Sequence, residues 1–304
     1  MKGIVLRVLA LSALTALSGA VGRAQEAKKE TGPTFKSAWT VEMAAGTSRL
    51  ACADVTGDKK GRLLALEGST LKIFNVMGEK PVKEAEVDLG KGAASFVAGQ
   101  FAKGKPAMIA VPGAVIYRDG EKYTKKDAAD ITDVTGTASF LEGQEVVFSF
   151  AGQGQPQSWG IDLTAGNPVT SGHEMPDPAS GAGVYHVLNA RLPGEIQQAI
   201  GLPEEARKLP AFGFFDPAKS SKLTGWMTWI GADSSHIALF DMSDLHVDQG
   251  TPIKVAWKSP KLGGKILDAQ VTTDPKGGKK IGFLVLESTG ADGKGRQAEF
   301  LAIE

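Results

Sequence analysis

Asp54-Val-Thr-Gly-Asp58-Lys-Lys-Gly61-Arg62 runs directly into Leu63-Leu64-Ala65-Leu66. The first part is turn chemistry. Asp and Thr side chains bond nearby backbone, and Gly tolerates positive φ. The apolar run that follows is too short for a helix and is bounded by turn signals, which reads as a strand buried on both faces. A Gly-Ser pair then reverses the chain into Leu71-Lys-Ile-Phe-Asn-Val76, another strand.

The unit recurs. Gly99-Gln-Phe-Ala-Lys-Gly-Lys-Pro106 leads into Met108-Ile109-Ala110-Val111. Ser139-Phe-Leu-Glu-Gly-Gln-Glu-Val-Val-Phe148 is a fainter copy. Phe215-Asp-Pro-Ala-Lys-Ser-Ser-Lys-Leu-Thr-Gly-Trp-Met-Thr-Trp229 continues through a Gly-Ala-Asp turn into His236–Phe240, and Val271–Val285 is the last copy. Anchors near Asp54, Gln100 and Gly143 lie 46 and 43 residues apart, a period that fits one four-stranded β-propeller blade. The expectation is an all-β propeller of five to seven blades, six being the best fit, over residues 37–304. Trp39-Thr-Val-Glu-Met43 is expected to close the array against the final blade.

Bulk composition agrees. The 304 residues include 38 glycines, which suits many tight turns, and are 42% apolar, ample for a core. Lys plus Arg equals Asp plus Glu at 34 each, so no net field draws the chain to nucleic acid. Residues 1–24 read as an export signal: Lys2 and Arg7 are basic, Val8–Val21 is apolar, and small residues precede Gln25. The alternative is an uncleaved anchor, for which the apolar run is short. Residues 25–36 read as a flexible linker. The expected location is periplasmic or extracellular, with no membrane span once the signal is cleaved. The lone cysteine, Cys52, reads as a small buried hydrophobe rather than a nucleophile.

One region departs from the repeat. Pro193–Ile200 and Pro203–Leu209 carry helix start signals, so a short helical insertion is expected at about 193–209. It would pack on one blade or serve as a lid or partner surface.

The turn copies resemble the FG-GAP or VCBS repeat of integrin-type and bacterial secreted β-propellers. That family's run is Asp-hydrophobe-Asn-Gly-Asp-Gly-x-x-Asp before a buried strand. Asp54, Gly57, Asp58 and Leu63 match it, with Thr56 at the usual Asn. Tyr117-Arg118-Asp119-Gly120 looks like the hairpin that follows the blade's next strand. The resemblance is good in the first two units and weak from 150 to 210. It implies calcium loops, because a hard cation needs several carboxylate oxygens. Here the closing acid is Arg62, the second copy has Gln100, Ala102 and Ala107, and the last offers only Asp274. Calcium at Asp54 and Asp58 is therefore disfavoured, and Arg62 is expected to stand in for the metal by pairing with Asp54 or Asp58.

Other candidate chemistry is sparse. Asp241, Asp244, His246 and Asp248 gather acid and imidazole in one stretch, readable as a metal or acid–base site or as a solvated loop. Trp226 and Trp229 lie three apart, so in a strand one faces the core and one outward, where it could stack on a sugar or a protein partner. No nucleophile elbow, phosphate loop or dinucleotide fingerprint is present. The reading is an exported non-catalytic propeller without a cofactor that binds or scaffolds a protein or glycan. Its alternative is a secreted hydrolase or lyase acting on polysaccharide. A third possibility is an envelope assembly factor that binds strand edges of client proteins.

Overall fold

The computed structural model describes residues 33–304, apart from 91–93, 103, 141–144, 152–154, 163–168, 173–184, 191–210, 216–223, 232–233, 242–254 and 278–279. The expected signal at 1–24 and the helical insertion at 193–209 lie outside the described residues. Everything regular that is described is β-strand.

β1 (Phe35–Met43) belongs to a different sheet from the strands that follow it, though Trp39 and Val41 pack against Leu50, Leu63 and Ala65. β2 (Thr47–Ala53), β3 (Arg62–Glu67), β4 (Thr70–Asn75) and β5 (Val82–Asp88) form one antiparallel four-stranded sheet. β6 (Val97–Gly99), β7 (Met108–Val111), β8 (Ala114–Asp119) and β9 (Lys122–Asp127) form a second. A nine-stranded sheet takes β10 (Gly136–Phe140), β11 (Glu145–Ala151), β12 (Gln155–Asp162), β13 (Val169–Gly172), β14 (Tyr185–Ala190), β15 (Phe212–Phe215), β16 (Thr224–Gly231), β17 (Ser234–Asp241) and β18 (Val255–Lys258). Its order is β13-β12-β11-β10-β14-β15-β16-β17-β18. The last four-stranded sheet is β19 (Lys265–Thr273), β20 (Ile281–Thr289) and β21 (Gly295–Ile303), with β1 at its edge beside β21.

The pairing of β1 with β21 runs from Phe35↔Ile303 to Met43↔Arg296, as expected for a first strand laid against the final unit. It also corrects the boundary of the linker. Phe35 and Lys36 belong to β1, because a partner from the far end of the chain supplies their backbone hydrogen bonds and overrides their polar local context.

The apolar runs after each turn are explained by burial on both faces. In β3, Leu64 and Leu66 pack with β7 residues Ile109 and Val111, while Leu63 and Ala65 pack with Leu284, Leu286 and Phe300 of the last sheet. β7 repeats this: Met108 and Ala110 face Val147 and Ile161. In β20, Phe283 and Val285 face Trp226, Ile237 and Leu239. Each strand parity thus serves a different neighbouring sheet, which is why alternation is lost in these runs. Phe283 meets the rings of Phe35, Phe215 and Trp226 edge-on, at 5.4, 5.9 and 5.2 Å between centroids. Burying such side chains stabilises by about 1.5–3 kcal/mol each. The outermost strand β5 is mostly exposed and carries Lys83, Glu84 and Glu86, and β9 carries Lys122, Lys125 and Lys126, which blunts both edges against further pairing.

The inner strands converge. β2 lies against β19 and β6, β6 against β10, and β14 against β10 and β19. Side chains replace a ladder at the seam between β2 and β19. Leu50 N donates to Asp268 Oδ2 at 2.8 Å, and Cys52 N to Gln270 Oε1 at 3.1 Å. β14 is different in kind. It pairs antiparallel with both β10 and β15, and so joins two sets of strands into the nine-stranded sheet.

Candidate functional site

The repeated polar stretches join each inner strand to the next. Residues 54–61 link β2 to β3, 100–107 link β6 to β7, 141–144 link β10 to β11, and 274–280 link β19 to β20. The first, second and last of these abut one another. Ala107 N donates to Asp54 O at 2.8 Å. A Cβ on Gly57 (φ 78°) would meet Pro106 Cγ at 2.9 Å. One on Gly61 would meet Cys52 Sγ at 2.7 Å and Pro275 Cα at 3.0 Å, so only glycine fits where the turns touch. Gln100 N donates to the carboxylate of Glu145, the first residue of β11. These described turns therefore make one continuous surface, which reaches Glu145 at the start of β11.

The acids of these turns are bonded within the turns. Asp54 Oδ1 accepts from Gly57 N at 2.7 Å and Thr56 Oγ1 at 3.3 Å, and its Oδ2 accepts from Lys59 N at 2.8 Å. Asp58 Oδ1 accepts from Thr56 Oγ1 and Lys60 N. Arg62 Nη2 donates to Asp58 Oδ2 at 2.9 Å and Arg62 Nε to Glu84 Oε2 at 2.7 Å. The Arg62 hydrogen bond holds the Asp58 carboxyl down to about 2. Arg62 thus pairs with Asp58, one of its two expected partners, and with Glu84 of β5, which sequence reasoning missed. Asp274 Oδ1 accepts from Lys276 N at 2.9 Å and from Trp39 Nε1 at 3.2 Å. The Lys276 ammonium stands 5.8 Å over the Trp39 ring.

The lysines point outward. Lys59, Lys60 and Lys105 are exposed, and among the described residues no carboxylate is paired with them. Lys59 is the only non-glycine described with positive φ, at 64°. Met77, in the β4–β5 loop at the same end, is 40% exposed and lies beside Gly277. The Lys276 ammonium donates to Gly78 O in that loop.

Below the turns the inner strands line a half-open pocket of about 20 Å³, bounded chiefly by Leu50, Phe96, Thr137, Asn189 and Gln270. That is room for about one water molecule and none for a sugar. The other ionisable cluster is buried. Glu287, 1% exposed, accepts from Gly264 N at 2.9 Å through Oε2, while Oε1 has no described partner. Burial, and then the charge of Glu299, push Glu287 up to about 7.

The remaining sequence candidates are dispersed. Trp226 is fully buried against Phe283, so its parity faces the core. Trp229 pairs with His236 across β16 and β17, and its side chain lies outside the described residues. His236 Nδ1 is 2.7 Å from Ser259 O. Asp241 ends β17, while Asp244, His246 and Asp248 lie outside the described residues. Among the described residues no group of three or more His, Cys, Asp or Glu could hold a metal ion. Cys52 is buried, and burial pushes its thiol up to about 12. No described helix is long and apolar enough to cross a membrane.

No family model and no curated protein matches the chain. Among solved structures, one described as BBS1N in complex with ARL6DN, soaked with lead, is similar over 84% of this chain and 81% of that chain, at 11% identity and a TM-score of 0.38.

Proposed function

We propose that this chain is an exported, non-catalytic β-propeller whose turn-bearing end binds a protein partner. On this reading β2–β5, β6–β9, β10–β13, β15–β18 and β19–β21 with β1 are five blades, and β14 is an extra strand wedged between the third and fourth. The FG-GAP-like turns are then scaffolding that has given up calcium for Arg62. One observation carries the reading: the carboxylates of the repeated turns are spent on their own backbone and on Arg62, while the described pocket among the inner strands holds about 20 Å³. Among the described residues neither arrangement offers a pocket in which acids could work on a substrate, and on this reading recognition falls to the outward surface of the turns.

Site-specific photo-crosslinking tests this. A benzophenone side chain placed at Lys60 or Met77, in the cells that make the protein, is expected to trap a discrete partner. One placed at Asp292, in the β20–β21 turn at the opposite end, is expected to trap none. Equal trapping from both ends, or turnover of a polysaccharide by the purified chain, overturns the reading.

A further inference from the structure

The face of the last sheet that packs on β16 and β17 is apolar along Phe283, Val285 and Leu301, yet two acids share it. Glu287 of β20 pairs with Gln297, and Glu299 of β21 pairs with Val285, so the acids stand one diagonal step apart. We infer that Glu287 and Glu299 hold one proton between them, and that losing it unfastens the connection from β18 to β19.

The first ground is an oxygen without a donor. Glu287 is buried, and its Oε1 is shielded with no described partner, while Oε2 accepts from Gly264 N at 2.9 Å. Those are the two halves of a neutral carboxylic acid. Oε2 is the carbonyl oxygen, and Oε1 carries the hydrogen. The half-buried Glu299 lies within hydrogen-bonding reach to accept it.

The second ground is charge. A carboxylate buried this deeply needs an opposite charge, and among the described residues no cation faces Glu287. Its neighbour on β19 is Ile266. Lys265 and Arg296 both pair with Ser288, and so share the opposite face. Asp268 is turned to Leu50 N, and His236 of β17 to Ser259 O. Asp241 lies at the other end of β17 from Ser235, whose Oγ accepts from Ile266 N. Lys258 and Lys261 are exposed, and Asp292 and Lys294 of the β20–β21 turn pair with each other at 3.6 Å. On β1, Glu42 stands across from Gln297 and adds a further acid. Two carboxyls at close range do not both ionise readily, and burial with the charge of Glu299 accordingly holds Glu287 at about 7.

The third ground is what the pair fastens. Residues 259–264 join β18 to β19. They are held to β17 by Ser259 N on Ile237 O at 2.8 Å and Leu262 N on Ser235 O at 3.0 Å. On the other side Gly264 N bonds Glu287, and a Cβ on Gly264 would overlap Ser288 O, so the connection lies flat on β20. A second negative charge drives Glu287 out towards water and takes the acceptor from Gly264 N. The folded value lies above the usual 4.5, so the hold is full below about 4.5 and lost as pH rises to about 7.

Amide hydrogen exchange of the full chain, followed by NMR, tests this. Protection of Gly264 N is expected to fall about tenfold or more between pH 4.5 and 7.5. Its exchange is expected to be faster than that of Val271 N and insensitive to low urea, which marks a local opening. Glu287→Gln imitates the neutral acid, with one acceptor and one donor, and is expected to remove the fall. Glu299→Gln removes the neighbouring charge and is expected to make it smaller. Protection that is independent of pH, a fall that persists in Glu287→Gln, or urea dependence matching that of Val271 N overturns the inference. Recovery of protection at pH 7.5 with millimolar calcium also overturns it, by making the pair a cation site. If Glu287→Gln does not fold, the carboxyl carbon shift of Glu287 in the wild type decides. Titration near 7 supports the shared proton, and titration near the ordinary value of about 4.3 overturns it.

Discussion

The side-chain amide of Asn189 pairs with both backbone groups of Val271. Asn189 Nδ2 donates to Val271 O at 2.9 Å, and Val271 N donates to Asn189 Oδ1 at 2.7 Å. One amide thereby does the work of a ladder step between β14 and β19. Asn189→Ala is expected to destabilise by about 2–4 kcal/mol, since two hydrogen bonds go and a buried N–H and C=O are left without partners. Asn189→Asp keeps an acceptor but sets a carboxylate against the carbonyl, and is expected to lose a comparable amount. Urea melts of the two variants check this, and loss under about 0.5 kcal/mol in both cases refutes it.

Arg62 ties the first turn to β5. Arg62→Met is expected to cost about 1–3 kcal/mol, discounted because Asp58 and Glu84 are partly exposed. Millimolar calcium is expected to leave the wild-type melting midpoint where EDTA leaves it. A ligand of the folded state must raise that midpoint, so a rise of several degrees would show a cation that Arg62 does not replace.

Glu287 gives the stability a pH dependence of known sign. Its carboxyl titrates near 4.5 in the unfolded chain and about 7 when folded, so the folded state holds the proton more tightly between those values. Stability is therefore expected to fall as pH rises through that window, by at most about 1.4 kcal/mol per pH unit. Glu287→Gln is expected to flatten the profile. Asp58 acts in the opposite direction and lower down, losing its contribution only as pH drops from 3.8 towards about 2. Midpoints measured from pH 4 to 8 separate the two, and identical profiles for wild type and Glu287→Gln refute the assignment.

Cys52 and Gly61 share one space. Gly61→Ala is expected to destabilise, because its methyl would meet Sγ of Cys52 at 2.7 Å and the Pro275 backbone at 3.0 Å. Cys52→Ala should relieve the first contact and leave the second, so the double variant is expected to recover part of the loss. Strict additivity in a double-mutant cycle contradicts this. The native thiol, pushed up to about 12, is expected to resist thiol reagents until the chain unfolds.

What could be read ahead was the local chemistry. Turn residues such as Gly57 and Gly68, and runs such as Leu63–Leu66, mark strands and reversals wherever they occur, and the pairing of Asp58 with Arg62 follows from their closeness in sequence. Three things depended on partners far along the chain. Nothing local singled out Tyr185–Ala190, and only its pairing with Gly136–Phe140 on one side and Phe212–Phe215 on the other makes it the joint between two strand sets. Glu84 reaches Arg62 because β4 and β5 fold back over β3. Trp226 and Trp229 were bound to face opposite sides, but which one turned inward was decided by Phe283 on another sheet.

The pairing of β1 with β21 also sets a timetable. Of the described strands, the one made first takes its partner from the one made last, so its hydrogen bonds must stay open while nearly all the described chain is synthesised. At roughly 5–20 residues per second that wait lasts many seconds, far longer than a hairpin needs to form. The sheets in the middle can fold as they emerge. The final one cannot, and until it does the chain carries two unmatched edges at its two ends, each the natural complement of the other on any neighbouring copy.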